Sequence, residues 1–500
     1  MSRLKKLAGD TVLYGMSSIV GRTLNYFLVP LYTKFLSPSE YGVVTELYAY
    51  VAFFLILFTF GMETTFFRFV SQNKADTQKI FNRVLSIVMI VDTILALGLV
   101  ACATPIMNYL EYPGKEAYVY ALAFILMLDG INAFPFAKLR IEGRAKRFAI
   151  TKMINILVNM GLNIILLVGM NEIMTNGAFP ALYPFVSEIY TPALGPAIVI
   201  FSNMVASMAN SVMHFGIYKR FRFKLDWKTV RPMVIYGVPL LFMGVAGTTS
   251  EMFSRLMLKK ILPVGFYPGY TNQQILGIFG ACYKLAIFMN LAIQAYKYAA
   301  EPFFFNNAQD KNSPALLGKV THVFTAFGSI AFLAVVANLD IISHLFLRQK
   351  AYRMAMDAVP ILLMANLFLG IYYNLSMWYK LTDKTYFGTY LSVGGAIMTI
   401  VLNYFLIPVI GYMGSAWATF AVYGGMTVVS YILGKKHYPV PYQVGRGLLY
   451  LSTSGVLAYC CYHMHFDNYL ILKGIQLLIF LIFVAMVFIL ERKMIQRRSV

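Results

Sequence analysis

Residues 80–103 read IFNRVLSIVMIVDTILALGLVACA, a run that only Arg83 and Asp92 interrupt with charge. A helix needs roughly 20 apolar residues to cross the hydrocarbon of a bilayer, and irregular backbone is not stable against lipid. This run meets that length, and the pattern recurs in both directions along the chain. About fourteen segments fit: 11–33, 43–70, 80–103, 117–139, 148–170 and 195–218; then 233–258, 275–300, 318–341, 358–379, 386–409 and 411–433; finally 445–463 and 469–490. The second is long and carries Gly61, so a kink or a cytoplasmic extension is expected there. The expected fold is therefore an all-α polytopic membrane protein.

Composition agrees. Hydrophobic residues make up 59% of the chain, charged residues 13%, and mean hydropathy is +0.66, against about 45–50% apolar and 25% charged in soluble domains. A soluble protein of this size has no core that could absorb the excess. The stretch after Met1–Asp10 leads into further spans without a small-residue cleavage pattern, so it is expected to stay as the first span. Net charge is +21. In a soluble chain that would suggest nucleic acid; here the basic residues concentrate in alternate loops. The N-terminus (Arg3, Lys5, Lys6), the loops 138–152 and 219–231 and the tail from Arg492 to Arg498 share one side, which predicts that both termini are cytoplasmic. Cys102, Cys282, Cys460 and Cys461 all fall in apolar segments without metal-ligand spacing and read as small buried hydrophobes. No metal or cofactor is expected.

The chain also resembles itself. Tyr14-Gly15 corresponds to Tyr236-Gly237, and Leu36-Ser37-Pro38 to Ile261-Leu262-Pro263. Gly42 and Tyr48 share the spacing of Gly277 and Tyr283, Glu63-Thr64-Thr65-Phe66-Phe67 is echoed by Glu301-Pro302-Phe303-Phe304, and Phe148 and Asn163 align with Phe387 and Asn403. Shared punctuation in the same order implies two parallel six-helix copies, with a pathway between them. The expected organisation is a lobe over 1–222, a second over 223–436, and two additional helices in 437–500.

Several of these landmarks are similar to those of a known family. Leu36-Ser37-Pro38-Ser39-Glu40-Tyr41-Gly42 resembles a hairpin of bacterial polysaccharide exporters, and Gly61-Met62-Glu63 with Phe67-Arg68-Phe69 resembles the end of their second helix. The segment from Leu276 to Lys284, Ala300-Glu301-Pro302-Phe303-Phe304, and Leu402-Asn403-Tyr404-Phe405-Leu406-Ile407-Pro408 with Gly411 and Gly414-Ser415-Ala416 look like their eighth helix and the turn after their eleventh. The chain thus resembles the Wzx-type flippases of lipid-linked oligosaccharides in the MOP superfamily, which also holds the MATE exporters and the MurJ flippases. The resemblance implies twelve core helices in two lobes and two more at the C-terminus. It further implies a bacterial inner-membrane location, a polyprenyl-pyrophosphate-linked glycan as cargo for O antigen, capsule or another glycan, and glycosyltransferases and a polymerase as partners. The outward loop 171–196, rich in Pro and Gly, is longer than the family pattern. With Glu172, Glu188 and several aromatics it could cap the outward mouth or contact a partner, but it reads first as a variable connection.

Intramembrane charge is costly and usually faces a cavity or a partner. Arg22, Arg255 and Lys284 fall inside spans one, seven and eight, and are candidates to line a chamber that accepts pyrophosphate: Arg as a bidentate ligand, Lys as a point charge. Arg255 could instead pair with Glu251 one turn away. Arg68 and Lys297, near the acids Glu63 and Glu301, are candidates for meeting the head group at entry, or for snorkelling. Glu46, Asp92 and Asp129 also lie within spans and could bind a coupling H⁺ or Na⁺, or serve as polar contacts between helices. Glu63 and Glu301 complete the acidic candidates. His214 and His344, near span ends, are expected at the interface.

An antiporter of the MATE kind would need an acid in helix one, where only Arg22 stands; a lipid II flippase is a closer alternative. A membrane glycan polymerase is disfavoured because no outward loop is large enough to carry a catalytic domain. No phosphate-cradling Gly-rich motif appears, which argues against ATP hydrolysis. The sequence therefore predicts a transporter rather than an enzyme.

Overall fold

The computed structural model describes residues 19–21, 23–72, 76–189, 194–306, 312–382 and 384–497. The described residues are helical throughout their regular structure. Twelve of their helices are long and apolar enough to cross a membrane, which makes the chain a multi-pass membrane protein. Fourteen spans were expected, and the difference has two sources. The first expected span is described only from residue 19, as far as Leu28–Phe35. The thirteenth does form a helix, Val444–His463, but Arg446, Ser452, Thr453 and Ser454 dilute its apolar character, and it is not among the twelve.

Chain contacts divide the protein into two compact units. One comprises Met1–Lys259 with Tyr267–Gly277; the other comprises Lys260–Phe266 with Ile278–Val500. In the first unit the turn after Leu28–Phe35 is held by Ser37. Its hydroxyl accepts the Glu40 amide at 3.3 Å, while the Glu40 carboxylate accepts the Ser37 amide at 2.8 Å. This reciprocal capping box, followed by Pro38 at the first helical position, starts the helix Pro38–Thr59. The kink predicted at Gly61 is present: Phe60 and Gly61 take φ of 49° and 65°, and Met62–Gln72 begins a new helix. Thr77–Ala101 and Glu116–Ile141 complete a core in which Phe66, Phe81, Val84, Leu85 and Phe134 are fully buried.

The segment expected as a loop at 171–196 carries helices where it is described. A π-turn, Ile165–Gly169, carries the preceding helix on into Met170–Asn176, and short helices follow at Pro180–Leu182 and Tyr183–Ile189. Trp227–Ile261 and Asn272–Asn306 are 35 residues each. At 1.5 Å per residue each exceeds the ~30 Å hydrocarbon thickness. The second of these opens on the same device as Pro38–Thr59: the Thr271 hydroxyl accepts the Gln274 amide at 3.2 Å, and the Gln274 side chain accepts the Thr271 amide at 2.8 Å.

In the second unit, Ser313–Ala337, Ala358–Leu375 and Tyr412–His437 pack around Leu362, Leu363, Ala365 and Val422, all with no exposed surface. Tyr469–Arg497 is pinned at both ends. Lys473 contacts Asp340 at 2.5 Å and the Ala337 carbonyl at 2.9 Å, and Glu491 accepts the Tyr450 hydroxyl at 2.6 Å and lies 2.7 Å from His322 Nε2.

One smaller expectation needs correction. Cys282 and Cys461 are buried, but Cys102 and Cys460 are exposed on the helix surface; all four are free thiols. His214 ends the helix Gly195–Met213 and is fully buried, edge-on to Phe136 with ring centroids 4.6 Å apart.

Candidate functional site

The charged residues singled out by sequence fall into different settings. Arg22 lies outside the described residues, as does the Glu301 side chain. Arg255 is buried on Trp227–Ile261, its guanidinium 3.3 Å from Met252 sulfur, while Glu251 is exposed. Lys284 is half-buried beside the fully buried Cys282 and Leu285. Arg68 sits over the Tyr236 ring at 4.0 Å, and Glu63 pairs not with Arg68 but with Arg140, at 2.9 Å. Lys297 lies over the Tyr373 ring at 4.6 Å. His344 is 3.2 Å from Arg353.

The acids also separate. Asp129 accepts the Ser207 hydroxyl at 2.7 Å. Around it, Asn132, Ser211 and Tyr218 form a connected polar strip, with Tyr218 donating to Asn132 at 2.7 Å and the Asn132 amide 3.0 Å from Ser211. Asp92 is fully buried, and neither carboxyl oxygen has a hydrogen-bond partner among the described residues. Its carboxyl packs on Gly130, where an added Cβ would lie 2.4 Å from Oδ2. An isolated ionised group in such a place is expensive.

Glu46 belongs to a cluster that the sequence did not reveal. Lys259 reaches it with Nζ 3.0 Å from Oε2, and the same ammonium is 2.6 Å from the Leu110 carbonyl, 3.7 Å from Glu111 and 4.4 Å from the centre of the Tyr112 ring. Tyr112 donates to Glu46 at 2.5 Å. Burial, then the adjacent Glu46 charge, push the Tyr112 phenol well above its ordinary range, so it remains a donor. Lys259 and Glu46 are 5% and 1% exposed. The pair therefore has no room for cargo and acts as a clasp. Close by in the same unit, Gly277 would place a Cβ 1.9 Å from the Pro38 carbonyl, and Gly42 would place one 2.3 Å from the Gln273 carbonyl. The glycines matched in the internal repeat are where these two helices cross backbone to backbone.

In the second unit, lysines border open space instead. Lys297 and Lys380 line a small niche with Tyr373, Asn374 and Phe304, closed on one side by a Tyr296–Asn374 hydrogen bond. Next to it lies a cavity of about 560 Å³ between Asn272–Asn306 and Ser313–Ala337, with Lys319 the one ionised side chain among the described residues that line it. Neither Lys319 nor Lys380 stood out in the sequence, where both read as ordinary positive charge near span ends.

Residues 31–174 match a family described as "Polysaccharide biosynthesis protein". No curated protein matches the chain by sequence. Among solved structures, the chain superposes on lipid II flippase MurJ in an inward closed conformation with a TM-score of 0.69 at 15% identity, covering 97% of this chain and 100% of that one. An inward-facing multidrug resistance MATE transporter gives 0.61 at 11% identity, over 89% and 96% of the two chains. The fold is that of the MOP-superfamily transporters. A third member, from Pyrococcus furiosus, is titled for the reverse polarity of its binding pocket and gives 0.54 at 13% identity, over 89% and 96%.

Proposed function

We propose that the chain is a flippase that carries a polyprenyl-pyrophosphate-linked oligosaccharide from the cytoplasmic to the outer leaflet of a bacterial plasma membrane, for surface-polysaccharide assembly. One coincidence carries the reading: a polysaccharide-biosynthesis match over residues 31–174 occurs in a chain that takes the MurJ fold along 97% of its length. A sugar pyrophosphate cannot shed its hydration in hydrocarbon without large cost, so the path must be polar and cationic. Arg22, Arg255 and Lys284 are assigned to that path, with Arg68 and Lys297 nearer its entry. Glycosyltransferases and a polymerase would act before and after it. Transport proceeds by alternating access, with both termini cytoplasmic. If transport is coupled to a proton, Asp92 is the carboxyl assigned to it, being buried without a donor.

The test is depletion of the chain in its native cell. Lipid-linked oligosaccharide should accumulate on the cytoplasmic face while surface glycan falls, and reintroduction should reverse both. Unchanged surface glycan in cells lacking the chain overturns the reading, and efflux of cationic dyes by the purified chain in vesicles would favour an antiporter. At matched protein level, Arg22→Ala should lower export; normal export would remove Arg22 from the path.

A further inference from the structure

We propose that residues 219–228 form a docking surface for anionic phospholipids of the surrounding bilayer. Their lysines and arginines meet the phosphates, while Phe223, Leu225 and Trp227 enter the interface. The surface would serve whatever cargo the chain carries.

Position comes first. The segment runs between two membrane-crossing helices, Gly195–Met213 and Trp227–Ile261. Its backbone is fastened to the side of a third, Thr77–Ala101: the Gln78 side chain donates to the Arg220 carbonyl at 3.1 Å, and the Lys224 amide donates to the Ser86 hydroxyl at 3.0 Å. It therefore lies along membrane helices rather than reaching out into water.

The side chains supply the rest. Arg220-Phe221-Arg222-Phe223-Lys224-Leu225-Asp226-Trp227-Lys228 alternates charge with large apolar groups. The core takes in Phe221, which packs on the cluster of Phe66, Phe81 and Phe134. Phe223, Leu225 and Trp227 are left 58%, 51% and 63% exposed. Lys219, Arg220, Arg222, Lys224 and Lys228 are exposed too, and none forms an ion pair among the described residues. Other cations of this unit do: Lys79 with Asp76 at 2.8 Å, Arg140 with Glu63 at 2.9 Å and Arg144 with Glu142 at 3.1 Å. The segment's own acid, Asp226, serves the next helix, accepting the Thr229 hydroxyl at 3.1 Å and the Lys228 amide at 3.3 Å. The basic surface continues onto the neighbouring helix start, where Arg147 donates to the Met213 carbonyl at 3.2 Å and Lys146 is exposed.

Positive charge at span ends also sets topology, but topology asks for no exposed aromatics between the charges. Cations interleaved with Phe, Leu and Trp make up a segment that lies in the interface, rings at the acyl boundary and charges at the phosphates. A soluble acidic partner would meet the same cations, but beside membrane helices lipid already occupies that space.

Trp227 reports on this directly, since the chain has three tryptophans and Trp378 is fully buried. The full-length chain carrying Trp378→Phe and Trp417→Phe is placed in nanodiscs of phosphatidylcholine and phosphatidylglycerol, with bromine on the acyl chains of one lipid or the other. Brominated phosphatidylglycerol should quench Trp227 at about fivefold lower mole fraction than brominated phosphatidylcholine, the preference expected of one surface cation. High salt should erase the difference, as should Lys219→Gln with Arg222→Gln and Lys224→Gln. Trp417 is the control: it is 44% exposed on Tyr412–His437, whose first turns hold no cation. With Trp227→Phe and Trp378→Phe, both lipids should quench it alike. Melting curves must match wild type for each variant scored. Hydrogen exchange of residues 219–228 in the unsubstituted chain should also slow when phosphatidylglycerol is added to phosphatidylcholine discs. Absence of Trp227 quenching by either lipid would overturn the proposal by placing the segment in water. Equal quenching by both lipids, or exchange that phosphatidylglycerol leaves unchanged, would overturn it by denying the cations any choice of lipid. A preference that survives the triple variant, or appears equally at Trp417, would take that choice away from this segment.

Discussion

Two lysine settings, one in each compact unit, show how the same side chain serves opposite ends in a membrane protein. Lys259 is saturated: a carboxylate, a carbonyl, a phenol and a ring surround its ammonium, and almost none of it is exposed. Lys319 is exposed at the mouth of an apolar cavity, and Lys297 is half-buried over one aromatic face. A saturated charge can only hold helices together, whereas one at a rim can still take a ligand. The largest test of that contrast is Lys259→Met. Leaving Glu46 buried without its cation should cost about 3–5 kcal/mol and lower the melting temperature steeply in detergent. Adding Glu46→Leu should recover most of the loss, because removing both charges avoids the unpaired one. A single variant as stable as wild type would mean that the clasp holds nothing.

Next in size is the backbone crossing beside the clasp. Gly277→Ala puts a methyl 1.9 Å from the Pro38 carbonyl and 2.8 Å from the Gly42 amide nitrogen. The two helices must separate, at a cost of about 1–3 kcal/mol or more. Gly161→Ala is the control: nothing lies within 4 Å of its added Cβ, and helix propensity alone should raise stability by up to about 1 kcal/mol. If the two variants melt alike, the helices do not cross as closely as described.

These glycines also mark how far the sequence could be read. The spacing of Gly42 to Tyr48 and of Gly277 to Tyr283 was visible as a repeat. Why glycine was needed was not, since its reason lies on a partner helix far away in the chain. The spans were legible because burial in lipid imposes a long uniform signal, so that 80–103 appears as Thr77–Ala101 and Gly61 breaks its helix where expected. Lys259 was not legible. It lies just beyond the end of an expected span at 258, where a lysine reads as loop charge, and its partner Glu46 is 213 residues away. Lys319 and Lys380 hid for the same reason: at a span end, a ligand-binding lysine and a topogenic one look identical in sequence.

The two capping boxes sharpen the comparison on a smaller scale. Ser37 with Glu40 and Thr271 with Gln274 open the helices that carry the matched glycines Gly42 and Gly277. Ser37→Ala and Thr271→Ala should each cost about 1 kcal/mol, within the 0.5–2 range for lost N-caps. The Ser37 variant should lose more at neutral pH, because its box contains a carboxylate near a helix N-terminus and the other contains an amide. Melting at high salt should narrow the gap between them. A gap that salt leaves unchanged would mean that charge is not what distinguishes the two caps.

The smallest expected effect on stability belongs to Lys297→Gln. It gives up the contact with the Tyr373 face, worth about 0.5–1 kcal/mol at an accessible site, and no acid among the described residues lines its niche. Its melting curve should therefore lie close to wild type, far from that of Lys259→Met, while export of surface glycan in cells falls. Lys297→Arg should keep the charge and restore part of that export, though a planar guanidinium fits a rim built for point charges less well. Should Lys297→Gln destabilise the protein as strongly as Lys259→Met, the two settings are one and the cavity lysines are structural. Should it leave both melting and export untouched, Lys297 is topogenic charge, and the contrast between the units would rest on Lys319 and Lys380 alone.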